Sequence, residues 1–400
     1  VSDGKQGSAD VQFMANALQL ASQGQYSCDP NPCVGSVVVN NGEIVGRGWH
    51  RRAGSAHAEI VALEDAGSRA EGGTVYVTLE PCCHFGKTPP CTSALIDAGV
   101  NRVVAAMEDP NPKVAGQGFA TLERAGIETM SGVLELAAEA LNRGFCHRMR
   151  SSKPFVFSKL AMSLDGRTAM ASGESQWITG DASRRDVHRL RAQSSAILTG
   201  IDTVLADNPA LTARVELDAG EIIQPLRVVL DSRLRLPVNA NLIDQPGNVL
   251  LLTASNDENK KAVLEKSGVC VKRVNAGPNG KLDLSECMTI LGQCGVNTVM
   301  VEAGLKLNGA LLQQGLVDEW VVYMAPCVMG DAARGLALLP GLEEMNDRIP
   351  MSLFDIRMVG HDLRLKYRVG QNSNIEKQGA MDFFSSNGKR VDLDQSLTAE

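Results

Sequence analysis

The residues best suited to chemistry form one group: His57-Ala58-Glu59, then Pro81-Cys82, then Cys91. One imidazole and two thiolates suit a borderline-soft cation such as zinc. Three protein ligands leave a fourth position for water, the arrangement of a catalytic rather than a structural site. Zinc lowers the pKa of that water enough to furnish a nucleophile near neutral pH. Glu59 lies two residues past His57, where the start of a helix would hold its carboxylate beside the water without making it a ligand. From there it can take the water's proton and pass it to a ring nitrogen and a departing amine. The expected chemistry is hydrolytic deamination of a pyrimidine-type ring. His57, Cys82 and Cys91 are the candidate ligands of one zinc ion per chain, and Glu59 is the candidate proton shuttle.

A His-x-Glu pair alone is commonly a surface helix turn, and Pro-Cys alone says less; together with a further Cys they form the zinc nucleobase-deaminase pattern. A purely structural zinc site would need a fourth ligand, for which Cys83 or His84 are available. Cys82 and Cys83 are adjacent, however, and would reach one tetrahedral ion only with awkward geometry. The usual spacing of the two cysteines is Cys-x-x-Cys, whereas here Cys83-His84-Phe85-Gly86-Lys87-Thr88-Pro89-Pro90 intervenes. A basic side chain there, His84 or Lys87, is a candidate contact to a substrate phosphate or a polar ring substituent. The alternative is a solvated loop.

Apolar positions Met14, Ala17, Leu18 and Ala21 recur at helical spacing within residues 11–24. Gly35–Val39 and Ile44–Trp49 flank Asn40-Asn41-Gly42 and predict a hairpin. A helix over His57–Ala70 carries the histidine and glutamate, and a strand over Gly73–Leu79 leads into the cysteine loop. A helix over Cys91–Ala98 stops at Gly99. A strand over Asn101–Met107 and helices over Gly118–Ala125 and Val133–Cys146 complete a layered α/β domain over residues 1–150. A boundary falls near Met149–Lys153. Beyond it, strands are expected at Phe155–Leu160, Ala196–Thr199, Arg227–Asp231, Val249–Leu252, Val269–Val274, Thr298–Glu302 and Glu319–Ala325, with two more at Ser352–Val359 and Asp362–Val369. Helices are expected at Ala182–Ala192, Asp257–Lys266, Leu284–Gln293 and Asn308–Gln314. This is a second α/β domain, over residues 151–370. Gln371–Glu400 is polar with little periodicity and reads as a tail.

The chain has 400 residues, 44% of them hydrophobic and 21% charged, with a formal net charge of -7. That is enough for two cores, and its acidity suits it poorly to gripping the phosphates of long nucleic acids. No apolar run approaches membrane-spanning length, and Val1–Asp10 is polar, without an apolar signal core. The ten cysteines are unevenly spaced, which fits reduced thiols in a cytoplasmic protein better than a disulfide scaffold. Cys28, Cys146, Cys270, Cys287, Cys294 and Cys327 are expected to be small buried hydrophobes.

Three motif groups resemble the bifunctional riboflavin-biosynthesis deaminase/reductase family: Ala56-His57-Ala58-Glu59, Thr78-Leu79-Glu80-Pro81-Cys82-Cys83-His84 and Gly86-Lys87-Thr88-Pro89-Pro90-Cys91. Asp29-Pro30-Asn31-Pro32, Asp109-Pro110-Asn111-Pro112 and Val114-Ala115-Gly116 with Gly118 fit the same family. So do Lys159, Ser163-Leu164-Asp165-Gly166-Arg167, Gly173-Glu174-Ser175-Gln176-Trp177-Ile178-Thr179, Ala206-Asp207-Asn208-Pro209 and Val301-Glu302-Ala303-Gly304. The likeness spans about residues 10–370. It implies a cytidine-deaminase-like three-layer domain followed by a dihydrofolate-reductase-like α/β domain, with zinc and NADPH as cofactors. It also implies two consecutive reactions. In the first, 2,5-diamino-6-(5-phosphoribosylamino)pyrimidin-4(3H)-one loses an amino group as ammonia. In the second, NADPH reduces the ribosyl group of 5-amino-6-(5-phosphoribosylamino)uracil to ribityl. A homo-oligomer, a dimer or larger, is implied as well.

By the same resemblance Asn31, His50, His84 and Lys87 hold the deaminase substrate. Ala161, Trp177, Thr203, Asp207, Ser232 and the run Gly304, Leu305, Lys306, Leu307, Asn308, Gly309 and Ala310 hold the nicotinamide cofactor. Ser175, Arg191, Leu211, Arg214 and Glu302 meet the reductase substrate, with Lys159 near the cofactor–substrate junction. Cys33 stands where the family usually has Asn, and Cys83 where it has Ser or Ala, which leaves a spare thiol beside the ligands.

From its residues alone the second half is harder to read. It lacks Gly-x-Gly-x-x-Gly after a strand, so a Rossmann domain is not expected. Thr298–Glu302, a turn at Ala303-Gly304 and a helix opened by Gly309 would aim backbone N–H groups at a phosphate, though glycines there are also ordinary turn residues. Arg191 and Arg214 suit a phosphate clamp but read equally as surface charge. Trp177 suits either a core or a wall for a flat ring. The rival readings are a nucleic-acid-editing deaminase, which the acidity disfavours, and a non-catalytic scaffold, which the intact Glu59 and ligand set disfavour.

Overall fold

The structure is a computed structural model that describes residues 3–84, 89–112, 114–216, 222–277 and 279–370. The expected tail, 371–400, and Lys87 lie outside the described residues. The first part of the chain runs α1 (Asp3–Ser22), β1 (Gly35–Asn40), β2 (Glu43–Trp49), α2 (Ala58–Ala66), β3 (Thr74–Val77), α3 (Cys91–Asp97), β4 (Arg102–Ala105), α4 (Gln117–Arg124), β5 (Glu128–Met130), α5 (Glu135–Leu141) and α6 (Arg143–Ser151). Its five strands form one sheet in the order β2-β1-β3-β4-β5. The first two pairings, β1 with β2 and β1 with β3, are antiparallel, while β3-β4 and β4-β5 are parallel.

Alternation along the strands sends side chains to both faces of this sheet. Val38, Val75, Val77, Val103 and Ala105 pack with Ala62, Leu95 and Leu122 under α2, α3 and α4. Val37, Val39, Tyr76 and Val104 pack with Met14, Ala17, Ala138 and Cys146 under α1, α5 and α6. The result is the three-layer arrangement expected. The β1–β2 hairpin turns at Asn41 and Gly42, which take φ of 52° and 81°, the left-handed pair that a two-residue hairpin turn demands. Two glycines of β2, Gly46 and Gly48, let α2 lie directly on the strand, because a Cβ at either would meet the carbonyl oxygen of Ala62 or Ala58. That contact sets the height of the helix that begins at the candidate metal ligand.

The expected helix over Val133–Cys146 is in fact two. Asn142 takes φ -110° between α5 and α6, and its buried carboxamide accepts from Cys33 N (2.7 Å) and donates to Cys33 O (2.9 Å). A side chain holding a distant backbone in this way breaks a helix that local periodicity would continue.

The second part runs β6 (Phe155–Ser163), β7 (Arg167–Ala169), α7 (Asp181–Ala192), β8 (Ala196–Gly200), α8 (Ile201–Asp207), β9 (Leu226–Leu230), β10 (Val249–Thr253), α9 (Glu258–Lys266), β11 (Val269–Arg273), α10 (Leu284–Gln293), β12 (Thr298–Val301), α11 (Leu305–Gln313), β13 (Glu319–Ala325), β14 (Arg334–Gly335), β15 (Met351–Val359) and β16 (Asp362–Val369). Nine strands make one sheet in the order β11-β10-β9-β8-β12-β6-β13-β16-β15, parallel up to β13 and antiparallel in the last two pairings. Val156, Leu198, Val228, Leu250 and Val299 pack beneath α10 and α11. On the opposite face Phe155, Phe157 and Met300 meet Val187 and Leu190 of α7, and Val229 and Leu251 meet Val204 and Leu264 of α8 and α9. A parallel sheet covered on both faces explains the nearly unbroken apolar runs of its strands.

Two expectations fail here. Gly309 does not open the helix: α11 starts at Leu305 after Gly304, and Gly309 lies within it, where a Cβ would strike the backbone of Leu338. Cys270, Cys294 and Cys327 are exposed, whereas Cys28, Cys146 and Cys287 are buried as expected. Cys270 is on an outward position of the edge strand β11, and Cys294 ends α10, where it accepts from Lys272 Nζ (3.2 Å). Among the described residues no helix is long and apolar enough to cross a membrane.

Candidate active sites

Two helix starts and one loop build the first site. His57 is the N-cap of α2, Cys91 is the first residue of α3, and Cys82 lies in the loop that follows β3. The ligand atoms of the three residues lie within 4.8 Å of one another. His57 Nδ1 is 3.1 Å from Cys91 Sγ and 3.6 Å from Cys82 Sγ, and Cys91 N donates to Cys82 Sγ at 3.4 Å. The hydrogen bond with Cys91, then that with His57, pulls the Cys82 thiol down to about 4. The same hydrogen bond to Cys82 pushes the Cys91 thiol up, aided by burial. Two sulfurs thus share one proton beside an imidazole, a donor set that a divalent cation fits by displacing the proton. Neither Cys83 nor His84 joins this cluster among the described residues. His84 is exposed.

Glu59 stands in the first turn of α2, only 4% exposed. Burial pushes its carboxyl above the ordinary carboxylate range, as suits a group that must both take and return a proton. His50 is buried beside His57, with ring centroids 5.5 Å apart. Its Nδ1 faces Ala56 O at 3.1 Å, and its Nε2 faces Asn31 Nδ2 at 3.0 Å. With the proton on Nδ1, Nε2 accepts from Asn31. Burial pushes the imidazole's pKa down, which keeps it neutral. Asn31, His50, His57, Cys82, Cys91 and Glu59 therefore sit together.

Glu80 was not singled out from the sequence, yet it organises the rim. Its buried carboxylate accepts from Asp109 N (3.0 Å), Gly116 N (3.0 Å) and Gly118 N (2.8 Å). This ties the Asp109–Gly118 segment to the loop that carries Cys82. No local signal reveals such a role, because the three donors lie far along the chain.

The second site gathers at the carboxyl ends of the parallel strands, where open α/β sheets bind ligands. Lys159 of β6 and Glu302, just past β12, face the α7 side. Arg191 of α7 donates to both carboxylate oxygens of Glu302, from Nε (2.5 Å) and Nη2 (2.9 Å), and from Nη1 to Thr212 O (3.0 Å). Burial lowers the Lys159 pKa, an effect that Glu302 opposes and Arg191 reinforces. Arg214, exposed at the rim, places Nη2 3.0 Å from His188 Nε2 and Nη1 3.4 Å from Thr212 Oγ1. His188, with Nδ1 3.2 Å from Thr212 O, is a member that sequence reading missed. Its position one helical turn before Arg191 was the available signal. Burial, then Arg191 and Arg214, push its pKa down to about 4.

Arg191's fork is thus filled by Glu302, and Arg214 presents the more open guanidinium. Leu211 is buried next to Thr212, with φ 51°. Ala161 follows Lys159 on β6. Thr203 and Asp207 belong to α8, and Ser232 follows β9. Ser175 and Trp177 lie between β7 and α7. Trp177 is 71% exposed, with the Arg184 guanidinium 4.8 Å from its ring centroid, so it is not a core residue. Gly304 caps α11 without a side-chain hydrogen bond and faces open space. Its helix therefore offers unmatched N–H groups to an anion, and this fits a dinucleotide phosphate. Of the expected set, Lys159, Arg191, Arg214 and Glu302 are linked in one network through Thr212 and His188.

The family described as RibD C-terminal domain matches residues 154–364, and that described as cytidine and deoxycytidylate deaminase zinc-binding region matches residues 8–107. The riboflavin biosynthesis protein RibD of Escherichia coli strain K12 is 50% identical over 365 residues, covering 89% of this chain and 98% of the relative. Its namesake from Haemophilus influenzae is 48% identical over 373 residues, covering 90% and 97%. Among solved structures, Acinetobacter baumannii RibD superposes with a TM-score of 0.85 at 42% identity, covering 91% of this chain and 100% of that one. A Thermotoga maritima protein described as a diaminohydroxyphosphoribosylaminopyrimidine deaminase/5-amino-6-(5-phosphoribosylamino)uracil reductase gives 0.79 at 32% identity, covering 91% and 99%.

Proposed function

The chain belongs to the RibD family of riboflavin-biosynthesis proteins, and on that premise we propose which of its residues carry each of the two reactions. It is a bifunctional deaminase and reductase of riboflavin biosynthesis, with a zinc-binding deaminase domain followed by an NADPH-dependent reductase domain. The finer assignment divides the chain into residues 1–150 for deamination and 151–370 for reduction. The substrates are the diaminopyrimidine ribotide and then its deaminated product.

One observation carries the first assignment: His57 Nδ1 and the two sulfurs converge beside a buried carboxyl on the same helix start. Zinc held by His57, Cys82 and Cys91 would make water a sufficient nucleophile near neutral pH. Glu59 takes one proton from the attacking water and returns it to the ring nitrogen. As the carbon–nitrogen bond breaks and the carbonyl forms, the proton of the added hydroxyl, relayed through the same carboxyl, leaves with the amine as ammonia. Asn31 and His50 orient the ring, with His50 neutral and its acceptor nitrogen turned to Asn31. His84 and Lys87, which follow Cys83 in the sequence, meet the phosphoribosyl end.

In the second domain bound NADPH would supply hydride to the anomeric carbon of the sugar, whose bond to the ring oxygen opens as that oxygen takes up a proton. Gly304 to Ala310, with Ala161, Trp177, Thr203, Asp207 and Ser232, bind the cofactor. Arg214 takes the substrate phosphate while Ser175 and Leu211 line its path. Glu302 holds Arg191 and Lys159 against the sugar. The protein works as a cytoplasmic homo-oligomer on small molecules, without nucleic-acid or membrane partners.

Turnover of the diaminopyrimidine ribotide by zinc-loaded protein, with and without NADPH, tests the whole assignment. Ammonia should appear without NADPH, and NADPH should be oxidised only after deamination. NADPH oxidation preceding ammonia release would reverse the order proposed.

A further inference from the structure

The turn that carries Asn31 is held from the other domain. Asn297, immediately before β12, donates from Nδ2 to Asp29 Oδ1 (3.0 Å) and to Pro30 O (2.9 Å). Ser195, immediately before β8, donates to the same Asp29 oxygen at 2.7 Å. Its Oγ in turn accepts from the backbone N–H groups of Asn297 (3.0 Å) and Thr298 (3.1 Å). At the other end of its carboxamide, Asn297 Oδ1 accepts from Arg148 Nε of α6 at 2.6 Å. Asn297 is buried, so these bonds are made away from solvent.

The sequence of the turn explains why it needs outside donors. Asp29-Pro30-Asn31-Pro32 contains two residues with no backbone N–H. Asn31 N donates back to Cys28 O (2.9 Å), and Asn142 secures Cys33 at the far end. The Asp29 carboxylate and the Pro30 carbonyl receive the Asn297 carboxamide from the reductase domain. From the turn so fixed, Asn31 Nδ2 reaches His50 Nε2, next to His57.

We propose that Asn297, a residue of the reductase domain, is a positioning residue for the deamination: it fixes the Asp29–Pro32 turn so that Asn31 stays against His50 at the zinc site. The inference rests on the reading of Asn31 as a contact to the deaminase substrate. It makes the first reaction depend on the start of β12 whether or not the reductase site is filled. A contact made equally to the bound substrate and to its transition state, when loosened, raises KM and leaves kcat unchanged.

The test uses the full-length zinc-loaded enzyme and the diaminopyrimidine ribotide. Asn297→Ala is expected to raise the deamination KM about tenfold, the loss of roughly one charged-group hydrogen bond. The deamination kcat, the zinc content and the KM for reduction of pre-deaminated substrate are expected to stay unchanged. Asn297→Asp keeps an acceptor for Arg148 but has no N–H for the Asp29 carboxylate or the Pro30 carbonyl, and is expected to raise the deamination KM at least as far, again with the KM for reduction unchanged. A general fold defect would raise both KM values, so the comparison of the two reactions separates positioning from simple destabilisation. An unchanged deamination KM in Asn297→Ala, equal KM increases in both reactions, or an unchanged deamination KM in Asn297→Asp would each overturn the proposal. Asn31→Ala serves as the reference. If it raises the KM and Asn297→Ala does not, the positioning role alone falls. If it leaves the KM unchanged, the substrate reading of Asn31 falls and takes the positioning role with it.

Discussion

The deaminase centre and the reductase cleft solve opposite electrostatic problems. At the first, three ligands and one carboxyl crowd together, two sulfurs share a proton, and burial holds Glu59 above its ordinary range. The cluster is incomplete as a set of protein charges, and its donor set fits a cation that would balance it. At the second, Arg191 and Glu302 already balance one another, with Arg191 holding the Glu302 carboxyl below the usual range in spite of burial. The cleft is complete before any ligand arrives. The first site should therefore fail outright when one member is removed. The second should lose affinity, residue by residue.

The sharpest break between the two is expected from Cys91→Ala. Cys91 is fully buried at the first position of α3, so the variant should lose both zinc and deamination. It should also unfold the first domain more easily, since metal binding contributes to folding. Metal analysis with thermal unfolding checks this, and a full zinc complement would remove Cys91 from the ligand set. Glu59→Gln comes next. It should retain zinc and lower the deamination rate by about 10²- to 10⁴-fold, the range of general acid–base catalysis. Reduction of pre-deaminated substrate should survive in both variants, because neither residue touches the reductase network.

The contrast also explains what could be read from the sequence. A catalytic metal dictates residue types, so His57, Glu59, Cys82 and Cys91 stand out by chemistry alone. Strand alternation and the Asn41-Gly42 turn are equally local, and the hairpin and the layered sheets follow from them. The reductase cleft is built from strand ends far apart in the chain, and its members are common residues. His188 and Thr212 gain meaning only when β8, β12 and α7 are brought together. The break at Asn142 depends on Cys33, 109 residues away, and no local window contains both. Gly309 was misread as a helix opener because a glycine after a strand usually marks a turn. Its real constraint is the backbone of Leu338.

At the cleft, Arg214→Ala should raise the reduction KM by roughly 10- to 100-fold, the worth of one or two charge-assisted hydrogen bonds to a phosphate. Among the described residues its exposed guanidinium is held by the His188 and Thr212 side chains and by no carboxylate, so the fold should tolerate the change. Steady-state kinetics on pre-deaminated substrate check it, and an unaltered KM would return Arg214 to surface charge.

The smallest effect expected is one of pH. Burial and the two arginines push the His188 pKa from its ordinary 6.5 down to about 4. Between those values the unfolded chain binds a proton that the folded protein does not, so stability rises with pH across this window and is lost as pH falls from 6.5 toward 4. His188→Gln can still accept from Arg214 but cannot take up a proton. Its acid limb, followed by denaturant unfolding at a series of pH values, should be shallower than that of the parent. Deaminase zinc release would also shape the acid limb, because protons compete for the ligands, but equally in both proteins. The difference between the two curves therefore isolates the cleft. Parallel acid limbs would mean that His188 is not held neutral by Arg191 and Arg214, and the picture of a cleft already balanced before its ligands arrive would lose its support at that residue.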